Sequence, residues 1–363
     1  MAKNATLNKA KDAKHDDYYT RYEDIQAELN HYENHFEGKT VLCNCDDPYE
    51  SNFCSFFLKN FNYLKLKRLI CTSYATSPIL GRQMTIFDLL NEPVEAGNGY
   101  GYVMDITEVP MDNGRGVSDK DINKLLKSKK RGVKKLKGDG DFRSEECIEY
   151  LKQADIVVTN PPFSLLIEYF SQLIEFGKKF LIIGNPNAIH YKEIFPLVKN
   201  NQVWVGYKSM SADMLFDVSD EFAQWLVENK KQGSGYKIID GEVKGRAQAI
   251  WFTNLDISKR HEELIMYKHY DEASYPTYMN FDGIDVNKVV DIPCDYYGYM
   301  GVPDSFMDSY NPEQFEICGL STGDSAKEIG VKKNYRGRTD LAYLKNGKPS
   351  CPFSRIIIKR KGE

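Results

Sequence analysis

The chain has 363 residues, 28% charged and 42% apolar, with a formal net charge of −4. That length holds one large domain and a smaller one, and that charge excludes an overall basic coat for nucleic acid. No apolar run approaches the ~18 residues of a membrane span, and the lysine-rich start, Met1 to Lys14, lacks the apolar centre of a secretory signal.

The elements follow from hydrophobic spacing. Tyr22, Ile25, Leu29, Tyr32 and Phe36 recur at three- and four-residue steps, which predicts a helix over 16–37 with Gly38 as its stop. Thr40 to Cys45 reads as a buried strand. The turn Asp46-Asp47-Pro48 then opens a helix through Phe53, Phe57 and Phe61, and Lys67 to Tyr74 is the next strand. After Gly97, Gly99 and Gly101, Tyr102 to Ile106 reads as a strand. Ser144 caps a helix to Gln153, with Glu145 and Glu146 in its first turn. Ala154 to Thr159 is an apolar strand, followed by a helix through Leu165, Tyr169 and Leu173 and a strand at Phe180 to Ile183. Gln202 to Tyr207 is another strand, and Lys237–Ile239 with Ala247–Thr253 forms a closing hairpin around Asp240-Gly241. Alternating strands and helices predict an α/β fold with a mainly parallel sheet and an antiparallel edge. From residue 259 the periodicity is lost in a Tyr-, Gly-, Pro- and Asp-rich region that reads as an irregular module. The expected domains are an N-terminal helical segment over 1–38, a catalytic domain over 39–258, and a separate region over 259–363.

Eight cysteines are scattered without a CxxC pair. Cys43 and Cys45, two apart on one strand, are poorly spaced for zinc, so the expectation is reduced thiols in a cytoplasmic protein and no bound metal.

Asn160-Pro161-Pro162-Phe163 carries the strongest chemical signal. The two prolines stiffen the backbone and present carbonyls without competing donors, and the Asn160 side chain adds an acceptor. Two fixed acceptors beside an aromatic face suit the exocyclic amine of a flat base. Asn-Pro is also a common turn dipeptide, so the four residues alone fit an ordinary strand-end turn. In open α/β sheets ligands sit at the carboxyl ends of strands, here Asn44-Cys45-Asp46-Asp47, Thr72-Ser73-Tyr74 and Asn160 to Phe163. The first of these is acidic and carries no glycine-rich phosphate loop. It suits an ammonium, a ribose diol or a sulfonium better than a pyrophosphate, which favours S-adenosyl-L-methionine; Asp46 and Asp47 also fit a plain helix-capping role. Basic charge is concentrated: Lys120 to Lys137 holds nine basic residues and one acid, Asp121, and further clusters include Lys327, Lys332, Lys333, Arg336 and Arg338, then Arg355, Lys359, Arg360 and Lys361. Each reads as a solvated face or as phosphate contacts.

Together these features resemble the EcoRI-type adenine-specific DNA methyltransferases. The resemblance rests on Val41 to Phe53, on Asn160 to Phe163, on Asn187-Ala188-Ile189 with Phe195-Pro196-Leu197, on Trp251 to Leu255, and on Tyr275 to Tyr278 and Met300 to Pro303. It implies a Rossmann-like methyltransferase fold with a mostly parallel seven-stranded sheet, and a C-terminal target-recognition region. The implied catalytic residues are Asn160, Pro161, Pro162 and Phe163, acting on a flipped-out adenine. The implied S-adenosyl-L-methionine contacts are Tyr19 and Thr20 (where Arg21 replaces the family's Pro), Asn44, Asp46, Asp47, Thr72, Asp141 and Phe142. Thr72 and Ser73 stand where an acid usually meets the ribose. From the basic clusters, Lys129, Lys130, Arg131, Lys134, Lys135, Arg336 and Arg338 are the expected nucleic-acid contacts. The implied partners are double-stranded DNA and a cognate restriction endonuclease that forms no stable complex with a monomeric enzyme. The Asn-Pro-Pro-aromatic motif by itself also fits methylation of cytosine N4, RNA adenine or protein glutamine, and an inactive nucleic-acid-binding module on the same fold stays open.

Overall fold

The computed structural model describes residues 19–46, 51–74, 101–110, 117–118, 120–122, 125 and 133–362. The chain divides into two compact units, 1–185 with 213–255, and 186–212 with 256–363. Strands are numbered in chain order through both.

The first unit contains β1 (Tyr19–Thr20), β2 (Thr40–Cys43), β3 (Arg68–Ser73), β4 (Tyr102–Ile106), β5 (Val133–Lys135), β6 (Ile156–Thr159), β7 (Lys179–Gly184), β9 (Met214–Asp217), β10 (Tyr236–Ile239), β11 (Glu242–Ala247) and β12 (Ile250–Thr253). Among the described residues of this unit, the large sheet runs in the order β5-β4-β3-β2-β6-β7-β12. β3, β2, β6 and β7 are mutually parallel. Their residues are apolar and buried without alternation, as a sheet covered on both faces requires. Helix Asn52–Asn60 joins β2 to β3, and helix Leu166–Glu175 joins β6 to β7. Phe170 meets Phe180 at 5.7 Å and Phe252 at 5.4 Å, edge to face, which locks the second helix onto β7 and β12.

The mixed α/β class and the large, mainly parallel sheet agree with the sequence expectation, and four local readings are corrected. Tyr19 and Thr20 do not continue a helix: they pair with Asp217 and Phe216, and the helix proper is Tyr22–Leu29, followed by a 3-10 stretch. β4 runs antiparallel to β3, and β5 antiparallel to β4, so both edges of the sheet are antiparallel rather than one. Of Gln202 to Tyr207 only Trp204–Val205 (β8, in the second unit) is a strand. The segment 247–253 is divided: β10 and β11 form the hairpin across Asp240-Gly241 in a smaller sheet, order β1-β9-β11-β10, while β12 leaves it to pair with β7. Buried Trp251 and Phe252 drive that departure, since an edge hairpin offers them too little cover.

The second unit also departs from expectation, because it is built on a sheet. β13 (Gly283–Asp285), β14 (Tyr299–Val302), β18 (Ile356–Arg360) and β15 (Phe315–Leu320) lie side by side in that order, with β16 (Tyr343–Lys345) and β17 (Lys348–Ser350) as a separate hairpin. Ile356, Ile357 and Ile358 are fully buried in the central β18. Arg355, beside them, is buried too: its guanidinium pairs with the Asp285 carboxylate (Nε–Oδ1 3.0 Å), which also accepts the Tyr278 hydroxyl at 2.7 Å. Arg355 is thus a core residue, not one of a solvated basic tail. Lys359 lies over the Tyr299 ring at 3.9 Å, and the Lys361 ammonium donates to the Pro312 carbonyl at 2.7 Å.

Candidate active site

The site forms where β2, β3 and β6 end. Thr159 is the last residue of β6, and Asn160 leaves the sheet there. Pro161 is buried, Pro162 and Phe163 are exposed, and the Leu165 N–H closes on the Pro162 carbonyl at 2.9 Å to start a short 3-10 turn at Phe163. Proline rigidity and that turn hold the Phe163 ring 38% exposed at the head of helix Leu166–Glu175.

Asp46 ties this strand end to the first. Its carboxylate accepts the Thr159 hydroxyl and, at 2.7 Å, the Ser51 hydroxyl, while its N–H donates to the Thr72 carbonyl at 3.2 Å. The helix is therefore capped by Ser51, whose oxygen accepts the Phe53 N–H at 3.1 Å, and Asp46 holds the cap in place. Asn52 reaches back to the Thr20 carbonyl at 2.8 Å, drawing β1 to the same point. Arg21 stands at the N-cap of the Tyr22–Leu29 helix and pairs with Asp24 at 2.6 Å.

Asn44 accepts the hydroxyl of buried Tyr169, whose ring packs edge-on against Phe142 at 5.0 Å. Burial, first of all, pushes the Tyr169 hydroxyl well above its ordinary pKa, so it stays a donor. Gln172 donates to the Phe142 carbonyl at 3.1 Å. Next to Phe142, the Asp141 carboxylate is gripped by Arg143 through its backbone N–H (2.8 Å), Nε (2.9 Å) and Nη2 (2.7 Å), and that fork holds the acid below its usual range. Arg143 also pairs with Glu168 at 2.8 Å. A close backbone crossing completes the wall. A Cβ on Gly140, which has φ +82°, would sit 2.1 Å from the Ser73 carbonyl oxygen, and one on Gly101 2.6 Å from the same atom.

At this strand-end site Asp46 is bonded to Ser51, Thr72 and Thr159, the residue before Asn160, while Asn44 meets Phe142 through Tyr169 and Asn52 holds Thr20. Within the site, Thr20 Oγ1, Thr72 Oγ1 and Asn44 Nδ2 are buried with no hydrogen-bond partner among the described residues. Buried polar atoms of this kind call for a ligand or water. A carboxylate, hydroxyls and an amide without a phosphate loop fit a nucleoside carrying a cationic tail.

A family model described as adenine-specific methyltransferase EcoRI matches residues 6–361. The chain belongs to this EcoRI family of adenine-specific methyltransferases. It is 41% identical over 366 aligned positions to the type II methyltransferase M.EcoRI of Escherichia coli, covering 99% of each chain. It is 36% identical to the type II methyltransferase M.MpnI of Mycoplasma pneumoniae and 34% identical to the type II methyltransferase M.MgeORF184P of Mycoplasma genitalium, covering 98% of each chain in both comparisons. No solved structure matches the chain.

In this EcoRI-family enzyme the remaining expected residues fall elsewhere. Asp47, Lys129, Lys130 and Arg131 lie outside the described residues. Tyr19 pairs with Asp217 in β1. Lys134 and Lys135 are exposed on β5, at the edge of the large sheet, where lysines also protect an edge from pairing with other strands. Arg336 and Arg338 are exposed on a tight loop of the second unit, closed by the Asn334 N–H on the Arg338 carbonyl at 2.7 Å.

Sequence reasoning missed Ser51, Thr159, Arg143, Gly140 and the link through Tyr169. Two of these had a signal, Ser51 as a serine directly before an apolar helix and Tyr169 as the polar-tipped member of an apolar helix face. It also missed a cluster of thiols: Cys43, Cys54 and Cys71, from β2, the Asn52–Asn60 helix and β3, are buried with their sulfurs within 4.8 Å of one another. Burial pushes the Cys54 and Cys71 thiols well above their ordinary pKa, so both stay protonated and can donate to Cys43.

Proposed function

We propose that the enzyme is a site-specific DNA methyltransferase that modifies the N6 amine of a flipped-out adenine within a short duplex sequence, with S-adenosyl-L-methionine as methyl donor. The observation that carries this reading is the Asn160–Phe163 turn, presented at the end of β6 and anchored one residue away to Asp46. The adenine amine is a weak nucleophile because its lone pair is delocalised into the ring. Asn160 Oδ1 and the Pro161 carbonyl each accept one of its N–H groups, which localises the lone pair for attack. Phe163 supplies an exposed ring face for stacking, offsetting the few kcal/mol of extruding a base from the duplex. The donor supplies an electrophilic methyl, so the protein contributes mainly orientation and electrostatics.

The same geometry suggests roles at the donor side. Thr20, Asn44 and Thr72 offer the buried polar atoms, with Tyr19 and Asp47 beside them in sequence. Both oxygens of Asp46 already accept protein hydroxyls, so it acts by its charge and by positioning the strand ends. Asp141 and Phe142 hold the adenine end of the donor, with Arg143 fixing the carboxylate. The strand order supports a Rossmann-like arrangement. Residues 259–363 read the target sequence, with Arg336 and Arg338 as candidate contacts. Lys129, Lys130, Arg131, Lys134 and Lys135 hold backbone phosphates. The enzyme works as a cytoplasmic monomer beside a restriction endonuclease of the same specificity.

The test is transfer of labelled methyl from S-adenosyl-L-methionine to unmodified duplex DNA, with single-molecule sequencing of the product. Methylated adenines in one short motif support the reading and supply the target. Transfer to RNA or protein instead of DNA overturns it.

A further inference from the structure

We infer that His269, Cys294 and Asp295 form a surface site for one zinc-class divalent cation in the second unit. The Nδ1 of His269, the Sγ of Cys294 and a carboxylate oxygen of Asp295 all lie within 4.8 Å of one another. His269 Nδ1 is 2.9 Å from Asp295 Oδ2 and 3.7 Å from Cys294 Sγ.

The same ring nitrogen faces both neighbours, and that decides between two chemistries. A nucleophilic relay needs the thiol and the acid on opposite nitrogens of the imidazole, so that one side takes the proton while the other is held. A metal needs its donor atoms to converge on one point. With Zn–N near 2.0 Å and Zn–S near 2.3 Å, tetrahedral ligation places nitrogen and sulfur about 3.5 Å apart, close to the separation found.

The backbone around the donors is already arranged. The Cys294 N–H donates to the Lys268 carbonyl at 2.8 Å, and Lys268 bridges to Pro293. The Tyr270 N–H clamps Asp295 Oδ1 at 2.7 Å, which turns Oδ2 toward His269. Outer hydrogen bonds of this kind orient the ligands of metal sites. The His269 side chain is 78% exposed and that of Asp295 47%, so an ion enters from solvent without unfolding the unit. The Cys43–Cys54–Cys71 cluster, by contrast, is sealed.

The donor set names the class of ion. Nitrogen, sulfur and a single carboxylate suit Zn2+ or Co2+ and disfavour Mg2+ and Ca2+, which require oxygen. Three protein ligands leave a fourth position for water. Ligation cross-links the 268–270 and 293–295 segments and stabilises the unit by mass action. None of this depends on the methyl-transfer reading.

Titrating untagged, metal-free protein with Co2+ tests the site. The expected result is a thiolate-to-cobalt charge-transfer band saturating at one equivalent. In Cys294→Ser the band is lost, in His269→Asn affinity falls at least about tenfold, and Cys54→Ser leaves both unchanged. Zn2+ displaces the band and raises the Tm of the wild-type protein but not of Cys294→Ser. Circular dichroism of the two surface variants distinguishes loss of ligand from loss of fold. No band in the wild-type protein, or a band that survives Cys294→Ser, overturns the proposal.

Discussion

The Thr159 hydroxyl donates to the Asp46 carboxylate, although 113 positions separate the two residues in the chain. β6 and β2 are neighbours in the sheet, and this bond fixes their ends to each other. The residue after Thr159 opens the Asn-Pro-Pro-Phe turn, and the carboxylate sits among the side chains read as donor contacts. The substrate side and the donor side of the proposed reaction therefore share one rigid joint.

Asn160→Ala should lower methyl transfer by at least about 10²-fold, the loss typical of deleting one preorganised polar contact to a reacting group. S-adenosyl-L-methionine should bind the variant as it binds the wild-type protein. Turnover on duplex DNA and calorimetric titration of the donor check the two halves. Wild-type turnover would remove Asn160 from the mechanism.

Thr159→Val keeps the shape of the side chain and deletes the donor to a buried carboxylate. The cost to stability should be about 1–3 kcal/mol, read as a lower denaturation midpoint. KM for S-adenosyl-L-methionine should rise more than kcat falls. An effect confined to kcat would place Thr159 with the base rather than with the donor.

Gly140→Ala demands a Cβ 2.1 Å from the Ser73 carbonyl oxygen, at φ +82°. Strain of this kind costs about 1–3 kcal/mol, and relief requires the end of β3 to move. The variant should be less stable and bind the donor more weakly, whereas Gly138→Ala, with nothing within 4 Å of the added carbon, should do neither. Equal behaviour of the two variants would refute the close crossing.

Asp141 has its carboxyl pKa lowered by Arg143 from an ordinary value of 3.8. A depressed acid contributes stability that is present above the unfolded pKa and lost as pH falls through the folded one. The stability difference between wild type and Arg143→Gln should therefore be constant at neutral pH and shrink below pH 3.8. Denaturant titrations across that range measure it, and a difference that grows on acidification would contradict the pairing.

Which parts of the fold were legible follows from how each segment is buried. β2, β3, β6 and β7 stand out in the sequence because a strand covered on both faces is a continuous apolar run between turns. The Glu145–Gln153 helix is announced by Ser144 and by its acidic first turn, both local signals. Tyr19 and Thr20 were misread because a two-residue strand has no period of its own; it exists by pairing with Phe216 and Asp217. Ala247 to Thr253 looks like one strand because nothing local marks the point where the chain changes sheets. The second unit hid its sheet because most of its strands are only three to five residues long and separated by Tyr- and Gly-rich loops, although Ile356-Ile357-Ile358 carried a usable signal.

By itself the sequence determined the α/β class, the family resemblance and the residues of the Asn160–Phe163 turn, because stiffness, periodicity and capping are properties of neighbours along the chain. Only the tertiary structure decided that Thr159 holds Asp46, that Tyr169 holds Asn44, that Arg143 occupies the Asp141 carboxylate, and that His269 meets Cys294. Those contacts join residues that loops and crossovers bring together, and a hydrogen bond formed across such a distance leaves no pattern in the order of the residues that make it.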